Sequence, residues 1–367
     1  MKRRKFVTQA GIGTASATVL AACTQSSGPA VDATSLPRID WRMATSWPPS
    51  LDTIYGGAKT ISRRVSEMTD GRFTITPYAA GELVPALQVL DAVQSGSVEC
   101  GHSASYYYIG KNSALGFATA MPFGLNAQQQ NAWLYEGGGL EAMQNIYADF
   151  NVINFPAGNT GTQMGGWFKQ EVKTLSDLNG LKMRIPGLGG KIMSALGVNV
   201  QVLPGSEVFL ALERGAIDAA EWVGPYDDKK LGLHEAARYY YYPGWWEPSA
   251  TLDVFVNRSQ WDRLPTEYQE VFKAATVEAN TTMLAQYDTL NQQALAELIE
   301  GGTILTAYSQ EIMTEAKKVA FELYEQNARE NSTFKEVYEN WNAFREAVYR
   351  WNSINELSFA QFSYGGE

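Results

Sequence analysis

Between Pro265 and Gly301 the chain runs without a glycine or a proline. Such a stretch reads as one long helix, with Thr266 and Gln269 at capping-box spacing at its start and Gly301-Gly302 as its stop. At about 1.5 Å per residue it reaches roughly 50 Å, long enough to run along two lobes. The length of 367 residues agrees, since it exceeds the usual size of a single core. Hydrophobic residues at 45% and charged residues at 19% have the balance of a folded globular protein.

Ahead of that helix, strand and helix signals alternate. Residues 39–47 (IDWRMATSW) read as a strand and 53–68 as a helix closed by Asp70-Gly71. Residues 73–78 (FTITPY) read as a second strand, 87–93 as a short helix ended by Gly96, and 98–103 as a third strand. The pattern recurs, with strands at 152–156, 165–168, 181–185 (LKMRI) and 217–222, and helices near 191–196 and 207–214. This rhythm indicates mostly parallel sheets flanked by helices, and two such stretches give two α/β lobes. Ligands in sheets of this kind sit at the carboxyl ends of strands. Residues 309–362 read as further helices. Their aromatics Tyr338, Trp341, Phe344, Tyr349 and Trp351 would pack on the chain's own body or on a second chain.

The N-terminus reads as an export signal. Lys2, Arg3, Arg4 and Lys5 precede a weakly apolar run that ends in Leu20-Ala21-Ala22-Cys23 and is too short to span a bilayer comfortably. Arg3-Arg4 followed by Phe6 resembles a twin-arginine signal, a Sec-type signal being the alternative. Leu-Ala-Ala-Cys resembles a lipobox that would lipidate Cys23, with ordinary cleavage near Ala22 as the alternative. Residues 24–37, rich in Ser, Gly, Ala and Pro, suit a flexible tether. The chain holds 29 basic and 39 acidic residues, net −10; its first 22 residues hold four basic and no acidic residues, so the remainder stands near −14. An acidic body argues against nucleic acid and anionic lipid as partners. Cys100 is the one cysteine besides Cys23, so no internal disulfide is expected.

Catalytic parts are scarce. His102 and His234 lie far apart and outside any zinc-binding spacing, and there is no CxxC, GxSxG or phosphate loop. Gly187-Leu188-Gly189-Gly190 lacks the full dinucleotide fingerprint and reads as a glycine turn opening a helix, able to present N–H groups to an anion.

Four segments carry more. They are 158–167 (GNTGTQMGGW) with Gln163, 175–186 (LSDLNGLKMRIP) with Arg184, 215–226 (GAIDAAEWVGPY) with Glu221 and Trp222, and 239–248 (YYYYPGWWEP) with Glu247. The Arg184 fork can hold a carboxylate by two parallel bonds, a surface ion pair being the plainer reading. Glu221 and Glu247, with the Gln163 amide oxygen and a backbone carbonyl, could hold Na⁺ or Ca²⁺; solvated or Arg-paired carboxylates are the alternative. Glu221 stands between Ala219-Ala220 and Trp222-Val223, and a buried carboxylate must find a cation or donors.

Together these segments resemble the periplasmic solute-binding proteins of tripartite ATP-independent periplasmic (TRAP) transporters. LSDLNGLKMRIPG and LERGAIDAAEW are similar to two family segments in the same order and spacing. GTQMGGW, EWVGPYDD, YYPGWWEP and Tyr106-Tyr107-Tyr108 resemble the subgroup that binds 2-oxo acids and lactate with a metal ion.

The resemblance covers nearly the whole mature chain. It implies a two-lobed periplasmic-binding-protein fold of the α/β class with mixed sheets, a long helix spanning both lobes and extra C-terminal helices. With the export signal 1–23 and tether 24–37 read from the residues themselves, the implied boundaries are first lobe 38–157 with about 251–285, second lobe 158–250 with about 286–325, and a C-terminal extension 326–367 that could support a homodimer. Arg184 would clamp the substrate carboxylate. Gln163, Glu221, the Trp222 carbonyl and Glu247 would surround a cation bridging to the substrate, and Tyr106 or Tyr107 would touch it from the first lobe.

Two carboxylates and a monocarboxylate against one arginine leave −2, which tilts the cation toward Ca²⁺ over Na⁺. The implied function is non-catalytic: capture of a 2-oxo acid such as pyruvate, or a 2-hydroxy acid such as lactate, in the periplasm for transport by a membrane permease. An exported enzyme using Glu221 and Glu247 as an acid–base pair, or a ligand-sensing module, is the alternative.

Overall fold

The computed structural model describes residues 36–365. The expected export signal, the Cys23 lipidation site and nearly all of the tether lie outside the described residues. Eleven strands occur among the described residues: β1 (Ile39–Thr45), β2 (Phe73–Tyr78), β3 (Cys100–Ser103), β4 (Val152–Asn159), β5 (Trp167–Phe168), β6 (Lys182–Arg184), β7 (Asn199–Gln201), β8 (Ala219–Ala220), β9 (Tyr239–Tyr242), β10 (Thr251–Asn257) and β11 (Ile304–Ala307). They form two sheets, one per lobe, ordered β2-β1-β3-β10-β4 and β11-β9-β5-β8-β6-β7.

Both sheets are mixed, where the alternating pattern alone indicated mostly parallel pairing. In the first, β10 runs antiparallel to β3 and β4. In the second, β5 runs antiparallel to β8 and β9. The cause is the path of the chain. It leaves the first sheet after β4, returns from the second through β10, and crosses again along the helix Thr266–Glu300 to supply β11. The outgoing and returning crossings lie side by side, with Thr251 paired to Asn159. β4 and β10 are buried along their whole length, which suits strands covered on both faces.

The long helix spans 35 residues and ends at Gly301, with Gly302 at φ +95°. Its start differs from expectation. Pro265, not a Thr266–Gln269 capping box, precedes the first turn, and no side chain caps it. Gln269 is drawn away and donates to the Trp261 carbonyl at 2.9 Å. The N-terminal half packs under the first sheet, where Phe272 meets Trp41 and Phe155. The C-terminal half serves the second lobe, where the Tyr287 hydroxyl donates to Asp227 at 2.7 Å.

Three helices follow, at Gln310–Glu330, Ser332–Ile354 and Glu356–Tyr364. Most of this tail packs on the chain's own body. Trp341 is fully buried against Phe117 with ring centroids 5.6 Å apart. Tyr324 and Arg345 donate to the carbonyls of Pro122 and Phe123. The last helix has no buried residue, and Trp351, Ile354, Phe359 and Phe362 stand exposed.

Candidate functional site

Three loops converge because the backbone ties them together. Ala219 and Ala220 are small enough for β8 to lie between β5 and β6, and Ala220 pairs with Arg184. The expected strand 217–222 is therefore only two residues long, since Glu221 and Trp222 turn out of the sheet toward the loops. The Glu221 N–H donates to the Arg184 carbonyl at 3.2 Å. The Gln163 N–H donates to the Glu247 carbonyl at 3.1 Å, the Met164 N–H to Val223 at 3.1 Å, and the Gly244 N–H to Gln163 at 3.0 Å. Gly244 must be glycine here, because a Cβ would come within 2.5 Å of the Gln163 carbonyl oxygen. The tyrosine run 239–242 forms β9 and so delivers the turn that carries Glu247.

Arg184 is the hub, and it is buried to 1% exposure. Its Nη1 donates to the Glu221 carbonyl at 3.1 Å and to Glu221 Oε1, and its Nε donates to the Leu203 carbonyl at 3.1 Å. The guanidinium lies 4.9 Å from the Trp222 ring. Its Nη2 has no partner. Burial works against its charge, but Glu221 and the hydroxyls of Tyr107 and Tyr106 hold it above its ordinary value.

Glu221 and Glu247 are both buried. Burial pushes the Glu221 carboxyl up to about 7, with Arg184 pulling down and Asp228 pushing up. Burial, and then the neighbouring Glu221, push Glu247 well above the usual carboxylate range, opposed by Arg184, Gln163 and Tyr106. Tyr106 and Tyr107, on a short turn after β3, stay neutral because burial raises both hydroxyls. The two rings meet edge to face at 4.9 Å. Both line a narrow, nearly filled cleft with Trp47, Thr160, Gln163 and Trp222.

A cation fits this set on an internal criterion. Gln163 Oε1, Glu221 Oε2 and Glu247 Oε2 are each buried without a hydrogen-bond partner. Orphaned buried oxygens are costly, and three from the expected ligand residues are what a hard cation would satisfy. The Gln163 amide is oriented for this, since its Nε2 donates to Thr160 Oγ1 at 3.1 Å and leaves the oxygen free. Among the described residues no trio of His, Cys, Asp or Glu is arranged to hold a metal, so a cation here would need ligands beyond the two carboxylates.

Some neighbours carried no role in the sequence reading. Trp47, just past β1, packs edge to face on Trp222 at 6.5 Å. Its indole donates to His102 Nδ1 at 2.7 Å. Its place beyond a strand's carboxyl end was the available signal. Gly187, Leu188, Gly189 and Gly190 form the first turn of the helix Gly187–Ala195. A Cβ on Gly190 would meet the Ile185 carbonyl at 2.6 Å, so that glycine serves close packing.

Residues 43–331 match the profile of DctP, bacterial extracellular solute-binding protein, family 7. The chain belongs to that family. These are TRAP-type solute-binding proteins and not enzymes, and they work outside the cytoplasm. No helix among the described residues is long and apolar enough to cross a membrane.

The solute-binding protein is 66% identical over 363 residues to the monocarboxylate 2-oxoacid-binding periplasmic protein of Nostoc sp. strain PCC 7120, covering 99% of each chain. It is 47% identical to a solved TRAP transporter solute-binding protein from Bordetella bronchiseptica RB50, covering 90% of this chain and 98% of that one with a TM-score of 0.89. That structure is described as a mixed-occupancy dimer with copurified calcium and picolinate in its bound active site. A TRAP solute-binding protein from Pseudoalteromonas atlantica T6c, with bound sodium and pyruvate, is 37% identical with a TM-score of 0.86, covering 88% of this chain and 99% of that one.

Proposed function

We propose that this solute-binding protein captures a small 2-oxo or 2-hydroxy monocarboxylate together with Na⁺ or Ca²⁺, and delivers it to a TRAP permease. The observation that carries the reading is a set of three orphaned oxygens, on Gln163, Glu221 and Glu247, and the unpartnered Nη2 of Arg184, on residues that interact with one another. The oxygens suit a hard cation, and the guanidinium suits a carboxylate. The Trp222 carbonyl completes the cation's ligands, and Tyr106 and Tyr107 close on the substrate from the first lobe. The relatives named above, with a 2-oxoacid, calcium and picolinate, or sodium and pyruvate, support this choice. The cation offsets the two carboxylates, and burial between the lobes strengthens both contacts by excluding water.

The lobes are taken as 38–157 with about 251–285, and 158–250 with about 286–325. Export by the twin-arginine route and a lipid tether at Cys23 belong to the same proposal. So does a homodimer through residues 326–367, supported by the exposed Phe359 and Phe362. Light scattering of the wild type against Phe359→Glu/Phe362→Glu tests the dimer, which should become monomeric.

Calorimetry on chelator-treated protein in sodium-free buffer tests the site. Pyruvate should bind at micromolar affinity or tighter only when Na⁺ or Ca²⁺ is added. Equal affinity without either ion would remove the cation from the reading, and failure of every 2-oxo and 2-hydroxy acid would remove the substrate class.

A further inference from the structure

We propose that Asp228 is a positioning residue for the cation site, aiming the Trp222 carbonyl oxygen by gripping the opposite end of the same peptide unit. The inference rests on the cation reading above and assigns a role to a carboxylate that is not among its ligands.

Asp228 is 1% exposed and fully engaged. Its Oδ1 accepts the Val223 N–H at 3.1 Å. Its Oδ2 accepts the Trp167 indole N–H at 2.9 Å and the Tyr240 hydroxyl at 2.7 Å. The Val223 nitrogen and the Trp222 carbonyl belong to one planar peptide, and in a trans peptide N–H and C=O point in opposite directions. A carboxylate fixed on the N–H side therefore sets where the carbonyl oxygen points. No backbone N–H outside the helices and strands of the described residues donates to that oxygen, whereas the N–H end of the peptide is held by Asp228.

The grip is rigid. The Trp167 and Tyr240 rings that hold Oδ2 stack on each other at 4.0 Å and 14°. The Asp228 N–H also bonds the Gly224 carbonyl at 2.9 Å, which ties the residue to the loop it supports. Charge adds to geometry, because a carboxylate on an amide N–H polarises the amide and makes its oxygen a better ligand for a hard cation.

The test compares Asp228→Asn with Tyr240→Phe at pH 8, titrating Ca²⁺ and Na⁺ separately by calorimetry. Asp228→Asn should lower Ca²⁺ affinity by about 10–100-fold, the usual effect of losing a partner behind a metal ligand. Na⁺ affinity should fall less, because the lost charge acts half as strongly on a monovalent ion. Tyr240→Phe keeps the charge and the Val223 bond, and should keep both affinities within about threefold.

Nuclear magnetic resonance of the metal-free protein gives a second readout. The Val223 amide proton should move upfield in Asp228→Asn and stay in place in Tyr240→Phe. Unchanged cation affinity in Asp228→Asn, or an equal loss for both ions, overturns the inference. Should that variant not fold, Asp228→Glu carries the test, and unchanged Ca²⁺ affinity in it has the same force. A wild type that binds neither ion instead overturns the cation reading, and this inference with it.

Discussion

Replacing Arg184 by alanine removes the bonds to the Glu221 carbonyl and carboxylate, the bond to Leu203 and the contact with the Trp222 ring. Breaking a buried ion pair costs about 3–5 kcal/mol when the remaining charge cannot escape. Here it can escape by taking up a proton. Glu221 already stands at about 7 when folded, against an unfolded value of 4.5. For a carboxyl raised on folding, stability falls as pH rises through the unfolded value, and the loss is complete above the folded value. Without Arg184 the folded value rises further, so the variant keeps losing stability above pH 7 where the wild type has levelled off. The gap should be about 2 kcal/mol at pH 6 and about 3–5 kcal/mol at pH 8.5, read from urea melts. Binding should suffer as well. The one charge-assisted bond that the free Nη2 can give a substrate carboxylate, at about 1.5–3 kcal/mol, corresponds to roughly 10–10²-fold in Kd. Calorimetry with pyruvate and Ca²⁺ measures this. A Kd within threefold of wild type, or a stability gap that does not change with pH, would refute the reasoning.

Three more outcomes are expected. Burial lowers His102 from 6.5 to about 4, so the folded ring is neutral while the unfolded chain takes its proton first; stability should fall as pH drops from about 6.5 to 4, and His102→Gln should flatten that part of the curve in urea melts. Gly244→Ala drives a Cβ to 2.5 Å from the Gln163 carbonyl oxygen and 2.6 Å from that of Met164, which should cost about 1–3 kcal/mol in thermal melts and weaken cation binding with it. Asp52 holds Lys230 at 2.5 Å and Tyr226 at 3.2 Å across the two lobes; Asp52→Asn should speed ligand release by up to about fivefold in stopped-flow fluorescence at low ionic strength, and the difference should vanish in about 1 M potassium chloride.

The long helix and most of the first lobe were legible because local rules govern them. The stretch 266–300 has no breaker, and β2 spans FTITPY residue for residue, alternating in burial over Phe73–Thr76. Strands of two to four residues, such as β5, β7, β8 and β11, were partly or wholly hidden because pairing partners define them and periodicity does not. β10 was hidden in another way, since both faces are covered and TLDVFVN does not alternate. In the site, Arg184, Gln163, Glu221, Trp222 and Glu247 could be named because each stands in a motif. Trp47, Thr160 and Asp228 could not be given roles, since what they do depends on neighbours far away in the chain. Asp228 stood inside a quoted motif, but its grip on Val223 needs Trp167 and Tyr240 to be seen in place.

The helix Thr266–Glu300 also limits how the protein can move. It has no break at which to bend, and it is packed into both lobes. The other two crossings run beside each other, with the Thr160 N–H bonded to the Ala250 carbonyl at 3.0 Å and the Ala250 N–H to Thr160 Oγ1 at 3.2 Å. Paired crossings of this kind resist shear and twist, which leaves a swing about one axis. The arrangement of the lobes then reduces to a single angle. A membrane partner that grips both lobes at once would need to measure only that angle to distinguish a loaded binder from an empty one.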